Sequence, residues 1–384
     1  MFVSKNLAVN ENGHLTVGGI DTVDLAKKYG TPLYVMDEDL IRENCRSFKQ
    51  SIDKYYDGKG LVCYASKSFC CKAVCRIMME EGIGLDVVSE GELYTAASVG
   101  FPMEKVHFHG NNKTDGELLL AVKCGVGTVV VDNIFELERL NRIASENGVK
   151  VNIMFRIKPG IDAHTHDFVR TGQIDSKFGF ALETGEAFDA VKKALELENV
   201  NLSGLHCHIG SQIFDIDPFV LAAEVMINFI AKIRDELGFE VKELNLGGGF
   251  GIKYTDEDTP VPYDKYMEKV SEKVKEVCVE KNISLPYIVI EPGRSIAAPA
   301  GITLYTVGGI KYIPNIRTYV SVDGGMGDNP RYALYKSKYD AVIANKADQP
   351  RSETVTIAGK CCESGDLIGE GMPLQKAESG DIAA

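Results

Sequence analysis

The feature that most constrains this chain is a repeated alternation in its middle. Short apolar runs stand at 61–66, 84–89, 106–110, 128–132, 151–157, 202–209, 243–247 and 287–291, and helix-length amphipathic segments such as 90–100, 115–124, 134–148 and 216–237 fill the gaps. Runs such as TVVV and YIVI carry no polar alternation, which is how a parallel strand covered on both faces reads. Eight strands alternating with helices over roughly 250 residues predict a (β/α)8 TIM barrel in the α/β class, with a doubly wound open sheet as the structural rival. A strand at 32–38 and a helix at 39–57 lead into it. Beyond Gly293 the rhythm stops. The segments ITLYTVGGIKYI, TYVSVDGG, YDAVIA and ETVTIAGKCC follow one another without helices and predict an antiparallel β-rich second domain. The expected division is a barrel over 32–295 and a β domain from 1–31 and 296–384, the N-terminal lead adding a strand.

A barrel places its chemistry at the carboxyl ends of the strands, so unusual polar groups are expected there. Strand one ends at Lys67; strand two carries Asp86 and ends at Ser89; strand three ends with His109, Asn111 and Asn112. Strand five ends with Arg156, strand six with His206, His208 and Ser211, strand seven with Gly247–Gly251, and strand eight with Glu291, Pro292, Gly293 and Arg294. A lysine there is either a surface residue at a helix start or, desolvated, an amine nucleophile. The glycines Gly247, Gly248, Gly249 and Gly251 let backbone N–H groups close on an anion, with Ser211 and Arg294 nearby; the spacing matches neither a Walker loop nor a dinucleotide fingerprint. Alternation puts His206 and His208 on one side of their strand, either as a hydrogen-bonded core pair or facing the site. A metal site from His206 and His208 needs further ligands such as Asp162, His164, His166 and Asp167, which lie in a segment without fixed geometry; no metal is expected. A lysine, an anion cradle, a carboxylate and an imidazole together point to pyridoxal 5'-phosphate, whose ring needs an amine to hold it and a carboxylate at its nitrogen.

Composition narrows the partners. The net charge of −13 gives no basic field for nucleic acid, and no apolar run reaches membrane-span length, so neither partner is expected. The start has no basic region before an apolar core, and the ten cysteines show no CxxC spacing, which makes a reducing cytoplasm the simplest home.

The motifs YASKS, GLDVVSEGEL, FHGNNK, DSKFGF, GLHCHIGSQ, NLGGGFG, EPGR, VDGGMGDNPRYALY and CCESGD, in this order, resemble the fold-type III pyridoxal-phosphate decarboxylases, and the branch acting on diaminopimelate above all. The resemblance implies that Lys67 carries the cofactor, His208 stacks on it and Glu291 pairs with its ring nitrogen. It implies Asp86, Ser211, Gly248, Gly249, Pro292, Gly293 and Arg294 around the cofactor and its phosphate, with Arg294 also reaching substrate. Arg331 and Tyr335 are implied as contacts to a substrate carboxylate, Cys362 as proton donor and Glu363 as reader of the distal ammonium group. In that family the last two reach into a partner's site, so the resemblance implies a homodimer with shared sites and a small amino acid as substrate. The implied reaction is decarboxylation of meso-2,6-diaminopimelate to L-lysine and carbon dioxide. A sister decarboxylase acting on ornithine, arginine or carboxynorspermidine, and a non-catalytic cofactor-binding homologue, remain the rivals. The family's pattern runs past LQKAESGDIAA into a further strand and a tyrosine-bearing motif. This chain stops at Ala384, so on this reading it is truncated and is expected to hold the cofactor but to turn over poorly.

Overall fold

A computed structural model describes residues 2–161 and 175–384. The segment with Asp162, His164, His166 and Asp167 lies outside the described residues. The eight expected runs are eight parallel strands: β1 (Gly60–Ala65), β2 (Gly84–Val87), β3 (Val106–Phe108), β4 (Thr128–Val131), β5 (Val151–Lys158), β6 (Val200–Cys207), β7 (Glu243–Asn245) and β8 (Tyr287–Ile290). Each pairs with the next, β8 pairs with β1 and β4 with β5, so the sheet closes. Closure removes the edges that an open sheet has to protect and excludes the doubly wound rival. The short strand Phe180–Ala181 pairs alongside β5.

Side chains fill the barrel. Cys63 of β1, Val130 of β4, Met154 of β5 and Val289 of β8 form one cluster, each at most 1% exposed. Two of the helices start where the sequence supplies caps. Thr114 and Glu117 form a reciprocal capping box at Asp115–Cys124, and the Asn133 side chain accepts the Glu136 N–H at the start of Ile134–Glu146. Such caps are worth ~1 kcal/mol each and fix where these two strand-to-helix loops end.

The chain divides into two compact units: residues 42–251 with 260–296, which hold the barrel, and residues 1–41, 252–259 and 297–384. The second is built on the long strand Gly301–Ile313, which pairs with Arg317–Val322, with Ile382–Ala383 and with Leu33–Met36. The last pairing takes Leu33–Met36 into the β unit, so its N-terminal part runs to residue 41 instead of 31. The lead itself forms a separate three-stranded sheet, Leu7–Val9, Leu15–Val17 and Ile20–Asp21.

Three expectations for this unit are corrected. YDAVIA is not a strand, although Ala341–Ala344 are all buried; Val342 exchanges backbone hydrogen bonds with Ala384 and the run turns at once into a 3-10 turn. The strand Leu367–Leu374 was not foreseen, because two glycines and a proline interrupt its apolar pattern. The sheet is also not wholly antiparallel: Arg317–Val322 runs parallel to Glu353–Ala358.

Candidate active site

The strand ends bring one polar cluster together. Glu291, directly after β8, is buried with its carboxylate among three donors. His109 Nε2 lies 2.7 Å from Oε1, His206 Nε2 3.1 Å from Oε2, and Asn245 Nδ2 donates to Oε1 at 2.6 Å. Burial alone would raise this carboxyl; interaction with the two imidazoles overcomes it and holds Glu291 well below the usual carboxylate range. Burial pushes His206 down to about 4, so its ring is a neutral donor. Hydrogen bonds to a charged group are worth about 1.5–3 kcal/mol each, enough for three to keep a buried carboxylate ionised. A carboxylate has about four acceptor sites; three are taken here, which leaves room for one more N–H donor.

The His109 arm is fastened from behind. Lys113 and Glu136 side chains are each 2% exposed, and Lys113 Nζ donates to Gly110 O, Val130 O and Glu136 Oε1 at 2.9, 2.7 and 2.7 Å. All three ammonium protons are thus used, and the loop after β3 is clipped to the end of β4.

Lys67 follows β1 in the 3-10 turn Ser66–Ser68. Ser66 Oγ lies 2.8 Å from both Asp86 O and Glu92 Oε2, its single hydroxyl proton shared between the two acceptors, which fixes that turn against β2. The Lys67 ammonium sits 3.2 Å from Asp86 Oδ2; the lysine side chain is 54% exposed and the aspartate 0%. The expected desolvation of this lysine is therefore not what the structure shows. The reason is position: the turn carries Lys67 past the strand end and only its partner stays inside.

The glycine loop works by close approach. A Cβ on Gly248 would stand 2.1 Å from Glu291 O, one on Gly249 (φ +108°) 2.3 Å from Gly210 O, and one on Gly293 2.2 Å from Ser68 Oγ. Only glycine lets the loops after β6, β7 and β8 meet. Gly248 N–H donates to His208 Nδ1 at 3.3 Å, and Arg294 Nη2 donates to Ser211 Oγ at 3.1 Å. β6 ends at Cys207, so His208 stands beyond the strand and is not the in-strand neighbour of His206 that alternation suggested. Burial, with the charges of Arg156 and Lys67, holds His208 neutral.

Lys67, Asp86, His208, Ser211, Gly248, Gly249, Glu291, Pro292, Gly293 and Arg294 thus all belong to the barrel unit. Arg331, Tyr335, Cys362 and Glu363 belong to the other unit. Arg331 and Tyr335 open and close the short helix Arg331–Tyr335, and Cys362 and Glu363 are exposed in the loop between Glu353–Ala358 and Leu367–Leu374. That loop is pinned by Asp366, which accepts the N–H of Cys361 at 2.7 Å and of Met326 at 2.5 Å. The carboxylate beside Cys361 pushes its thiol above the ordinary value.

The sequence names His109 and His206 as strand-end residues but not as holders of Glu291, and it does not single out Asn245. Asn245 gave one signal, a lone amide two residues before a run of glycines, and its Oδ1 accepts Gly247 N–H at 2.9 Å.

The residues fit pyridoxal phosphate. The remaining acceptor site on Glu291 suits a ring N–H, the glycine loop with Arg294 suits a phosphate, and Lys67 offers an amine at the same end of the barrel. Asp86 Oδ1 and His206 Nδ1 are buried and have no hydrogen-bond partner among the described residues. Residues 38–298 match the family described as pyridoxal-dependent decarboxylase, pyridoxal binding domain. The diaminopimelate decarboxylase of Bacillus methanolicus is 53% identical over 384 residues, covering 100% of this chain and 89% of that protein. That of Bacillus subtilis is 50% identical, covering 100% and 87%. The crystal structure of diaminopimelate decarboxylase from M. jannaschii in complex with L-lysine superposes with a TM-score of 0.89 at 35% identity, covering 100% of this chain and 87% of that one. Fold, strand-end cluster and relatives agree: the chain belongs to the pyridoxal-dependent decarboxylases and, within them, to the diaminopimelate decarboxylase family.

Proposed function

We propose that the chain releases carbon dioxide from meso-2,6-diaminopimelate to give L-lysine, the last step of lysine biosynthesis. The observation that carries the chemistry is the buried, ionised Glu291 with one acceptor site open. Bound pyridoxal phosphate supplies an electron sink for the pair left on carbon when the carboxylate departs. Glu291 would hold a proton on the ring nitrogen, which keeps that sink effective. Lys67 would bind the cofactor through its amine, with Asp86 orienting that amine. His208, fixed by the Gly248 N–H, would offer its imidazole to the ring. Ser211, Gly248, Gly249, Pro292, Gly293 and Arg294 would hold the phosphate. Arg294, Arg331 and Tyr335 take substrate carboxylate, since a guanidinium forks two oxygens, and Glu363 takes the distal ammonium. Cys362 delivers a proton to the carbon that lost carbon dioxide; a thiol is a competent acid near neutral pH. We place the reaction in the cytoplasm, where the ten free thiols stay reduced. Among the described residues no helix is long and apolar enough to cross a membrane.

The purified, cofactor-loaded protein is expected to release carbon dioxide from meso-diaminopimelate at least a hundredfold faster than from ornithine, arginine or lysine. A faster turnover of any of those three would overturn the assignment.

The homodimer with shared sites is tested by mixing. Cys362→Ala and Lys67→Ala are each expected to be impaired, and a mixture that has exchanged subunits is expected to regain up to about a quarter of wild-type activity, because one site in four sites formed at random carries both native residues. Heterodimers that form without regaining activity would place each site within a single chain.

A further inference from the structure

The loop at 252–259 belongs to the same compact unit as residues 297–384, and it carries a residue that the reading above leaves unused. The ring of Tyr254 lies against the Arg331 guanidinium, 5.0 Å from the ring centroid, and the Tyr335 ring approaches the same guanidinium at 5.9 Å. Both distances are within the range at which an aromatic ring attracts a cation and holds its plane. Tyr254 is itself braced: its ring meets Tyr339 edge-on at 5.6 Å and 87°, and the N–H groups of Tyr254 and Thr255 both donate to Asp258 Oδ2 at 2.9 Å.

Arg331 Nη2 donates to Ser337 Oγ at 3.1 Å, while Nε is buried and has no hydrogen-bond partner among the described residues. A buried donor left unpaired is costly, and a guanidinium with its plane fixed and Nε–H unspent is arranged for a carboxylate, which takes two parallel N–H bonds from one guanidinium edge. Ser337 and the two rings thus fix the orientation, and the carboxylate completes the bonding.

We infer that Tyr254 is a specificity-determining positioning residue: it holds the Arg331 fork in the plane that reads the carboxylate retained at the non-reacting end of the substrate, and so favours a diamino diacid over amines that lack that carboxylate. This rests on the proposed role of Arg331. Tyr254 touches neither the cofactor nor the reacting carbon in this scheme, so it acts on substrate binding.

The test compares two probes on cofactor-loaded protein: L-lysine, which keeps the distal carboxylate, and 1,5-diaminopentane, which does not. Tyr254→Leu is expected to weaken L-lysine at least fivefold and 1,5-diaminopentane less than twofold, and to raise KM for meso-diaminopimelate at least fivefold with kcat within twofold. Tyr254→Phe, which keeps the ring, is expected to restore the affinity for L-lysine. Equal weakening of both probes, or a fall in kcat alone, would overturn the inference. Arg331→Met separates the two layers. If it leaves L-lysine affinity intact, the carboxylate role of Arg331 fails and the inference falls with it. If it abolishes the preference for L-lysine while Tyr254→Leu does not, the role of Arg331 stands and that of Tyr254 is overturned.

Discussion

Glu291→Gln is expected to leave the protein folded and able to bind its cofactor while kcat falls by about two to three orders of magnitude, the scale seen when a charge-stabilising group is removed from an active site. The carboxylate is surrounded by donors, His109 at 2.7 Å, His206 at 3.1 Å and the Asn245 amide at 2.6 Å. A glutamine keeps one acceptor oxygen and replaces the other with an N–H2 group. It has no charge to hold a proton on the ring nitrogen, and its new donor meets existing donors. One of them is left unpaired inside the barrel, at a cost of ~1–3 kcal/mol, so a modest loss of stability accompanies the loss of rate. The pH dependence follows from the same cluster. The folded Glu291 carboxyl lies well below its ordinary value, so its stabilising contribution is present above the unfolded value of about 4.3 and is lost only as the pH falls through the depressed folded value. The variant's deficit in kcat is therefore expected to be flat from pH 6 to 9. Wild-type kcat in Glu291→Gln, or a deficit that disappears within that range, would remove Glu291 from the mechanism.

The parts of this molecule that a sequence reveals are those that repeat or that must be of one residue type. The barrel strands are legible because a parallel strand covered on both faces needs an unbroken apolar run, and TVVV and YIVI supply one. The glycine loop is legible because backbone approaches of 2.1–2.3 Å to a would-be Cβ admit no other residue. The Glu291 cluster is different. His109 follows β3 while His206 and Asn245 lie on β6 and β7, and nothing local in FHG, LHCH or ELN says that their side chains converge; closure of the barrel does that. Lys113 and Glu136 are similar: both are of types ordinarily exposed, and only the fold brings them together as a buried pair. The β unit was less legible for a further reason. ALA-type burial at Ala341–Ala344 and true strand pairing at Leu367–Leu374 differ in hydrogen bonding, not in apolar content, and the glycines of LIGEGMPL hide the second while the apolar run of DAVIA imitates it.

Lys67→Ala is expected to remove turnover almost entirely, on the order of 10⁴-fold or more, as loss of a covalent-catalysis residue does, and to remove the visible absorption that the loaded wild-type protein keeps through dialysis. A rate loss alone does not separate a cofactor-bearing lysine from a structural one, and the structure supplies the control. Asp86 is fully buried and pairs with Lys67 at 3.2 Å, so the alanine variant leaves a buried carboxylate without its ammonium. Breaking a fully buried pair costs ~3–5 kcal/mol, but Lys67 is 54% exposed and solvent screens the pair, which brings the expected loss down to about 1 kcal/mol. Adding Asp86→Asn removes the orphaned charge, so the double variant is expected to regain the Tm that Lys67→Ala lost. It is not expected to regain either the dialysis-resistant absorption or turnover. If activity returned together with Tm, Lys67 would be a partner that keeps Asp86 in place; if Tm returned alone, the amine itself is what the reaction needs. The half-exposed position in this structure favours the second outcome, because an amine that must meet an incoming aldehyde has to project beyond the strand end, and the Ser66–Ser68 turn puts Lys67 there.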